Sequence, residues 1–192
     1  MKLYLVLAAS DMHVLEPALR GGVDVVQLRD KTLRDAELVA AAEPFRRACR
    51  RHRALFILND RPDLVAACGA DGVHVGRSDA SAEEARALVG PERLVGLSVS
   101  TLEELGDVAG ADYVGVTAFA TPTKEDAVPG GLELVRDAAA ALTVPWVAIG
   151  GIDLGNVAEV VAAGAPGVAV VRAIRDAADP EAAAQAFRRL VG

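Results

Sequence analysis

Short apolar runs alternate along the chain with longer stretches rich in alanine, glutamate and arginine. Runs typical of β-strands begin near Leu3, Val23, Ala54, Asp71, Arg93, Asp112, Pro145 and Gly167. Between them, stretches such as Asp35 to Arg51 and Pro180 to Val191 have the apolar spacing that is typical of helices. This pattern predicts eight strand–helix units of about 24 residues each, in a single domain that covers residues 1–192.

Polar residues collect where seven of these apolar runs end. The clusters are Gln27-Leu28-Arg29-Asp30-Lys31, Asn59-Asp60, Arg77-Ser78-Asp79, Ser98, Thr121-Pro122-Thr123-Lys124, Gly150-Gly151 and Val171-Arg172. An open doubly wound sheet binds ligands at its topological switch point, where only a few central strands end. A closed barrel brings all the strand ends to one rim, where the active sites of such barrels form. Because the clusters follow strands 2 through 8, we predict an α/β fold, a single (β/α)8 TIM barrel, with one polyanion site at its rim.

Composition narrows the kind of ligand that this site can bind. Of the 192 residues, 52% are hydrophobic and 4% aromatic, which is typical of a parallel sheet covered by alanine-rich helices. The formal net charge of −7 argues against general nucleic-acid binding, which needs a basic surface. Local cations within an acidic surface must therefore bind any anionic ligand.

Cysteine usage and the opening residues bear on the cellular compartment. Cys49 and Cys68 lie in different helical stretches without Cys-x-x-Cys spacing, which is typical of reduced thiols in a cytoplasmic protein. Residues 1–10 superficially resemble a signal peptide, but we interpret this short run with one positive charge as the first strand. No apolar run approaches the ~20 residues of a membrane span. We therefore expect a cytoplasmic protein.

The first cluster places three polar side chains on one side of its strand. Gln27, Arg29 and Lys31 share one parity, so an extended strand would project them together towards the barrel mouth. The alternative is a solvated charge pair at a strand end. Thr32, with Asp35 three residues on, can cap the following helix. Since Lys31 is then not needed there, we favour a role in anion binding.

Two carboxylates are predicted on neighbouring strand ends. Asp60 ends strand 3 and Asp79 follows strand 4, and adjacent strands lie about 4.8 Å apart. Such a pair suits one Mg²⁺, with water and phosphate oxygens as its other ligands. The alternative for Asp60 is a helix N-cap, because a proline follows two residues later. Asp79 has no such task, because Ser81 and Glu84 form the capping box of the next helix.

Ser98 is interpreted as a ligand-binding residue and His74 as a residue of the barrel interior. Ser98 ends strand 5, and Thr101 with Glu104 supplies the cap of the following helix, so the serine hydroxyl can donate to a ligand. His74 shares its parity with Gly72 and therefore points into the barrel. We interpret it as a hydrogen-bonded interior histidine rather than a catalytic one.

The remaining clusters follow strands 6, 7 and 8. Thr121-Pro122-Thr123-Lys124 lies in the long irregular stretch 118–130 and suits a phosphate, or else a polar surface turn. Gly150-Gly151 lets backbone N–H groups approach a ligand closely. The loops after strands 7 and 8 commonly bind phosphate in this fold, which makes Val171 and Arg172 candidates.

In this order, the clusters resemble the thiamine-phosphate synthase family. The motifs that carry the resemblance are Gln-x-Arg-x-Lys, Asn-Asp, Gly-Val-His-x-Gly-x-x-Asp, Thr-x-Thr-Lys and Gly-Gly-Ile, and they span almost the whole chain. The resemblance implies a Mg²⁺-dependent transferase of thiamine biosynthesis that joins hydroxymethylpyrimidine diphosphate to thiazole phosphate and releases diphosphate. The binding partners of such an enzyme would be these small-molecule phosphate and diphosphate substrates. A homodimer is a possible assembly.

The resemblance also implies roles for individual residues. The pyrimidine diphosphate would be bound by Gln27, Leu28, Arg29, Asp30, Lys31, Asn59, Ser98 and Lys124. The thiazole phosphate would be bound by Thr121, Pro122, Thr123, Gly151, Val171 and Arg172. Asp60 and Asp79 would bind Mg²⁺, and Lys124, Arg29 and Ser98 would act in catalysis.

The chain departs from the family pattern at two places. The segment before Thr-x-Thr-Lys, Gly115-Val-Thr-Ala-Phe-Ala, is shorter than in the family and lacks the proline that the family commonly has there. Arg172 stands at the last phosphate position, where the family often has serine. A thiazole tautomerase of the same family and a non-catalytic barrel that binds phosphate ligands are the alternative functions. The presence of Asp60, Asp79 and Lys124 argues against the tautomerase.

Overall fold

A closed barrel of parallel strands in sequence order forms the centre of the molecule. The computed structural model describes residues 1–77, 79–119 and 130–192. The strands are β1 Leu3–Leu7, β2 Val25–Leu28, β3 Leu55–Asn59, β4 Gly72–Val75, β5 Leu94–Val99, β6 Tyr113–Thr117, β7 Trp146–Ile149 and β8 Val168–Val170. Each begins no more than two residues after its predicted start, and β1 pairs with β8 to close the ring. The predicted (β/α)8 barrel is therefore confirmed.

Helices cover the outside of the barrel. Within the described residues they are α1 Met12–Arg20, α2 Asp35–His52, α3 Val65–Cys68, α4 Ala82–Val89, α5 Leu102–Leu105, α6 Gly131–Ala141, α7 Val157–Ala162, α8 Arg172–Arg175 and α9 Pro180–Val191, with short 3₁₀ helices at Ala9–Asp11 and Pro62–Leu64. The predicted bounds of α2 and α9 are confirmed to within one residue. Since α3 and α5 have only four residues each, eight strand–helix units fit into a chain of 192 residues.

Strand alternation divides the core into two layers. One set of side chains fills the barrel interior: Tyr4, Val6, Val25, Ile57, Tyr113, Val147 and Ala169. The opposite set packs against the helices in a larger outer layer that includes Leu5, Leu28 and Leu58. Inward-facing residues are therefore separated from the helices, and any polar group among them needs a partner inside the barrel.

The predicted helix caps are confirmed at two of three positions. The Ser81 hydroxyl accepts from the Glu84 N–H at 3.1 Å, and Thr101 accepts from the Glu104 N–H at 3.3 Å. The prediction for Thr32 is wrong, because α2 begins at Asp35 with Arg34 at the N-cap position.

Two further observations bear on the sequence predictions. Cys49 and Cys68 are both free and buried, as expected, and burial raises the pKa of the Cys49 thiol to about 12. Such a thiol is unreactive near neutral pH. Within the described ranges, no helix is long and apolar enough to cross a membrane.

Candidate active site

Strand register brings the predicted residues of β2, β3 and β4 to one edge of the barrel. Gln27 of β2 pairs with Ile57 of β3, and Asn59 at the end of β3 pairs with His74 of β4. The backbone N–H of Asp60 donates to the His74 carbonyl at 2.9 Å, which extends this pairing by one residue. The segments that follow these strands therefore begin at neighbouring points of the carboxyl-terminal rim.

Gln27, Arg29 and Lys31 of the first cluster lie at the end of β2 and in the residues that follow it. Strand β2 ends at Leu28, and the joint projection of the three side chains towards the barrel mouth stays a prediction. Gln27 is 5% exposed and lies inside the barrel. The Lys31 side chain is 58% exposed, and its ammonium lies 3.5 Å from the Asp60 carboxylate. Arg29, between Gln27 and Lys31 in the sequence, is half-buried. Its backbone N–H donates to the Leu7 carbonyl at 2.9 Å.

The side chains of Leu28 and Asp30 are both engaged in contacts within the protein. The Leu28 side chain is fully buried in the outer layer, so a contact with a ligand in the barrel mouth would have to come from its backbone. Asp30 accepts hydrogen bonds from the Thr32 hydroxyl at 2.7 Å and the Thr32 N–H at 3.1 Å. Burial raises the pKa of Asp30, but these bonds and one from Ala9 outweigh burial and hold it below its usual value. Thr32 thus closes a turn with Asp30 instead of capping α2.

Asp60 has a left-handed backbone conformation and does not cap the helix that follows it. Its φ of 56° lies in the left-handed region, which non-glycine residues adopt at a cost in free energy. Its carboxylate accepts from the Asn59 amide at 2.5 Å and pairs with Lys31. The N-cap of the 3₁₀ helix is Arg61, with Pro62 as the first helical residue. The capping alternative for Asp60 is therefore wrong.

Asp79 lies on the turn after β4. Its backbone N–H donates to the Gly76 carbonyl at 3.1 Å, and a Cβ at position 76 would lie 2.7 Å from the Asp79 carboxylate. Glycine at position 76 therefore leaves room for this carboxylate. Arg77 belongs to the same sequence cluster, but its guanidinium forms an ion pair with the Asp107 carboxylate at 2.8 Å. Ser78 lies outside the described residues.

Asp60 and Asp79 offer the type of ligand that Mg²⁺ prefers. Both are carboxylates that follow adjacent strands, and the Asp60 carboxylate lies 3.5 Å from the Lys31 ammonium. Among the described residues no group of three or more His, Cys, Asp or Glu side chains could hold a metal ion. A Mg²⁺ ion would therefore need water and substrate oxygens as further ligands. The residues present fit an ion of this kind bound together with a phosphate ligand.

A chain of hydrogen bonds crosses the barrel interior beneath this rim. The Gln27 amide donates to the Tyr4 hydroxyl at 2.8 Å, and Tyr4 lies 3.1 Å from the Tyr113 hydroxyl. Tyr113 in turn bonds to His74 Nδ1 at 3.2 Å, and His74 Nε2 bonds to Ser98 Oγ at 3.0 Å. We call Gln27, Tyr4, Tyr113, His74 and Ser98 the interior chain. It links two predicted binding residues, Gln27 and Ser98, from opposite sides of the barrel.

Sequence reasoning missed Tyr4 and Tyr113 as members of the site. They are the two tyrosines of the chain, and both occupy inward positions of predicted strands. Since a buried phenol needs a hydrogen-bond partner, their positions could have been used as a signal. Burial raises the pKa of both phenols well above their usual value, so each stays protonated and can donate. The interpretation of His74 as a hydrogen-bonded interior residue is confirmed.

The close contact between Ser98 and His74 differs from a hydrolase triad. A serine nucleophile is activated by a histidine whose second nitrogen donates to a buried carboxylate. In the interior chain, Nδ1 of His74 faces the Tyr113 phenol instead. A neutral phenol cannot stabilise an imidazolium as a carboxylate does. Ser98 Oγ therefore has one partner inside the barrel, and the expectation that its hydroxyl donates to a ligand stays a prediction.

The residues predicted to bind the second phosphate are described only in part. Thr121, Pro122, Thr123 and Lys124 lie outside the described residues. Gly150 and Gly151 follow β7 with φ values of 99° and 59°, which glycine adopts without strain. A Cβ at position 150 would lie 2.5 Å from the Phe119 carbonyl oxygen. Glycine is therefore required at position 150 by the close passage of the backbone after β6.

Val171 and Arg172 lie where β8 leads into the single turn of α8. Val171 is half-buried at the N-cap of this helix, and Arg172 is exposed as its first residue. Asp176 pairs with Arg175 at 2.6 Å, and this bond, with a weaker effect of Arg172, holds the pKa of Asp176 below its usual value. Because Ile149 pairs with Ala169, Gly151 and Val171 follow neighbouring strands at equivalent positions.

Comparisons with known proteins place this chain in a family. The sequence profile described as thiamine monophosphate synthase matches residues 3–174. The chain belongs to the thiamine monophosphate synthase family. It is 47% identical over 182 residues to a thiamine-phosphate synthase of Albidiferax ferrireducens, with coverage of 93% of this chain and 83% of the relative. Identity to a thiamine-phosphate synthase of Thermosynechococcus vestitus is also 47%, over 98% of this chain.

Solved structures agree with the family at the level of the fold. A thiamine phosphate pyrophosphorylase from Pyrococcus furiosus superposes with a TM-score of 0.91 at 35% identity, over 99% of this chain and 95% of that one. A 3-hexulose-6-phosphate synthase superposes with a TM-score of 0.71 at 22% identity and covers 100% of both chains, which shows the barrel fold alone. The chain spans about half the length of several family members that it matches, namely 55% for the Thermosynechococcus protein and 50% for one from Synechococcus.

Proposed function

We propose that the chain is a transferase that condenses hydroxymethylpyrimidine diphosphate with thiazole phosphate, and that it forms thiamine phosphate and releases diphosphate with the help of Mg²⁺. The observation that carries the proposal is membership of the thiamine monophosphate synthase family across residues 3–174. The Lys31–Asp60 pair at the barrel rim supports it, because a cation and a carboxylate side by side suit a magnesium diphosphate.

Charge at the rim is the first requirement of this chemistry. A diphosphate leaving group carries about three negative charges near neutral pH, and departure concentrates charge on the leaving oxygen. Arg29 and Lys31 follow β2, and Lys124 follows β6 in sequence, so cations could meet the diphosphate from two sides. Bound Mg²⁺ between Asp60 and Asp79 would offset part of the same charge.

The second requirement is an apolar, well-ordered floor for the pyrimidine ring. Loss of diphosphate from a benzyl-like pyrimidine carbon leaves a cation that the electron-rich ring stabilises, and the thiazole nitrogen can attack it directly. No protein nucleophile is needed. The barrel interior supplies Val6, Ile57 and Val147 as apolar neighbours, and Gln27 and Ser98 as polar groups to orient the ring.

The thiazole phosphate would bind on the other side of the mouth. Gly151 and the step from Val171 to Arg172 could offer backbone N–H groups to its phosphate, and Thr121 and Thr123 could offer hydroxyl groups. We favour backbone contacts at Arg172, because its side chain is exposed and lies near Asp176. A cytoplasmic location and a homodimer stay predictions.

One assay separates this function from its alternatives. The protein is incubated with both substrates, and with each alone, in the presence of Mg²⁺ and after treatment with a chelator. The proposal predicts thiamine phosphate and diphosphate in equal amounts only with both substrates and Mg²⁺. A thiazole tautomerase would isomerise its thiazole substrate alone, without metal. A non-catalytic barrel would bind thiazole phosphate without turnover, and either result contradicts the proposal.

A further inference from the structure

The interior chain has a direction, which follows from its donors and acceptors. The Gln27 amide nitrogen can only donate, so the Tyr4 hydroxyl accepts from it. Tyr4 must then place its own proton, and within the described residues its other partner is the Tyr113 hydroxyl. Tyr113, having accepted, has His74 Nδ1 as its acceptor at 3.2 Å. With the Gln27 amide nitrogen as the donor, this order uses both phenolic protons, whereas an order in which Tyr113 donates to Tyr4 leaves the Tyr4 O–H without an acceptor among the described residues, at a cost of about 1–3 kcal/mol.

The direction continues through the histidine to the serine. A ring nitrogen that accepts from Tyr113 carries no proton, so a neutral His74 is protonated on Nε2. That N–H donates to Ser98 Oγ at 3.0 Å. Ser98 then keeps its own O–H for an acceptor other than His74, and Gln27 keeps its amide oxygen for a donor other than Tyr4.

We propose that Tyr4, Tyr113 and His74 are positioning residues that set the polarity of the two ends of the interior chain, so that Ser98 presents a donor and Gln27 an acceptor to the substrate. This inference rests on the proposed function only for the identity of the substrate, the pyrimidine diphosphate. It involves the orientation of hydrogen bonds and no transfer of a proton. Reversal of the Gln27 amide would reverse every bond in the chain, so its two ends are coupled across the barrel.

The packing around the chain leaves little room for another arrangement. A Cβ at Gly96 would lie 2.1 Å from Tyr113 Cζ and 2.5 Å from His74 Nδ1. The absence of a side chain at this position of β5 therefore allows the tyrosine and histidine to meet. Their ring centroids are 5.5 Å apart, and those of Tyr4 and Tyr113 are 6.1 Å apart. Three rings in contact restrict one another's rotation, as positioning requires.

The tautomer of His74 tests the direction without any reference to activity. The chain has three histidines, so substitution of His13→Gln and His52→Gln leaves His74 as the single one. Its ring nitrogens are then observed by ¹⁵N NMR in the folded protein. We expect the neutral tautomer with the proton on Nε2. A proton on Nδ1, an imidazolium, or an equal mixture of tautomers would overturn the proposed direction.

Variants test whether the chain acts on Ser98. Tyr113→Phe removes the donor to Nδ1 but keeps the ring, and it should convert the single tautomer into a mixture. Ser100→Ala is the matched control, because it removes a neighbouring hydroxyl that bonds to Thr117 at 3.0 Å, and it should leave the tautomer unchanged. A Tyr113→Phe protein with the wild-type tautomer would contradict the proposal.

A double-mutant cycle provides the kinetic test. Tyr113→Phe should lower kcat by about tenfold, the effect of one misoriented hydrogen bond, while the KM for thiazole phosphate stays unchanged. In a Ser98→Ala background the same substitution should have little further effect, because the group that it orients is gone. Effects that multiply independently would show that Tyr113 acts through packing and not through Ser98. If the wild-type protein formed no product, the proposed function would fail, and the tautomer measurement would still decide the direction of the chain.

Discussion

Replacement of Asp60 by glycine should separate activity from stability. Asp60 adopts a φ of 56°, and its carboxylate contacts Asn59 and the exposed ammonium of Lys31. If it binds Mg²⁺ with the diphosphate, its loss should lower kcat/KM by at least about 100-fold, the scale for one preorganised electrostatic group. The fold, in contrast, should hardly depend on it.

The structure sets the size of the stability change. Glycine relieves a left-handed conformation that costs a non-glycine residue about 1–2 kcal/mol. Against this, glycine gains about 0.5–1 kcal/mol of conformational entropy in the unfolded chain. The lost pair with the 58%-exposed Lys31 side chain contributed no more than about 1 kcal/mol. The lost hydrogen bond from the Asn59 amide contributed about 0.5–1.5 kcal/mol. These opposing contributions leave a change within about 2.5 kcal/mol, or a shift in Tm of no more than about 10 °C.

Thermal denaturation and steady-state kinetics on the same preparation provide the measurement. Arg53→Gly is the matched control, since Arg53 has a φ of 58° but lies exposed after α2, at the end of the barrel where β3 begins. It should change the Tm by a similar small amount and leave activity intact. Full activity of Asp60→Gly would refute this reasoning. So would a decrease of more than about 3 kcal/mol in its free energy of unfolding, which is the range of a lost structural contact.

Three further results are expected. Arg29→Ala or Lys124→Ala should slow coupling by about 2–4 kcal/mol of activation free energy, and unchanged rates in both variants at limiting substrate would remove the diphosphate from this site. Arg172→Ser should leave the KM for thiazole phosphate within a few-fold, whereas Gly151→Val should raise it strongly, and the reverse result would make the arginine side chain a phosphate ligand. Gly96→Ala should destabilise the protein by about 1–3 kcal/mol through overpacking of the interior chain, measured by denaturant unfolding, and an unchanged midpoint would mean that the rings adjust freely.

The barrel could be predicted from sequence because its signals are local and repeated. The start of β1 at Leu3 and the start of α9 at Pro180 follow directly from runs of apolar residues and from caps. The capping boxes at Ser81 and Thr101 were predicted for the same reason: all their groups lie within four residues. Closure of the barrel was predicted from the number of strands that end in polar residues, and no single strand end was sufficient for it.

Details of the site were harder to predict, because they depend on where a strand ends and on what lies across the barrel. Strand β2 ends at Leu28, so parity alone does not position Lys31, and it did not indicate that the Lys31 ammonium lies 3.5 Å from the Asp60 carboxylate. Parity places Tyr4 and Tyr113 inside, but only the closed ring shows that their hydroxyls meet at 3.1 Å. The chain separation of 109 residues between them leaves no local pattern to detect.

The most direct test of the account is the location of the metal and the diphosphate. Crystals grown with Mn²⁺ in place of Mg²⁺, together with inorganic diphosphate, would reveal the ion by its anomalous signal. We predict a single strong peak about 2.1 Å from carboxylate oxygens of both Asp60 and Asp79, with the diphosphate on the side of Arg29 and Lys31. Diphosphate bound at the rim without an ion between these carboxylates, or an ion elsewhere, would contradict the account.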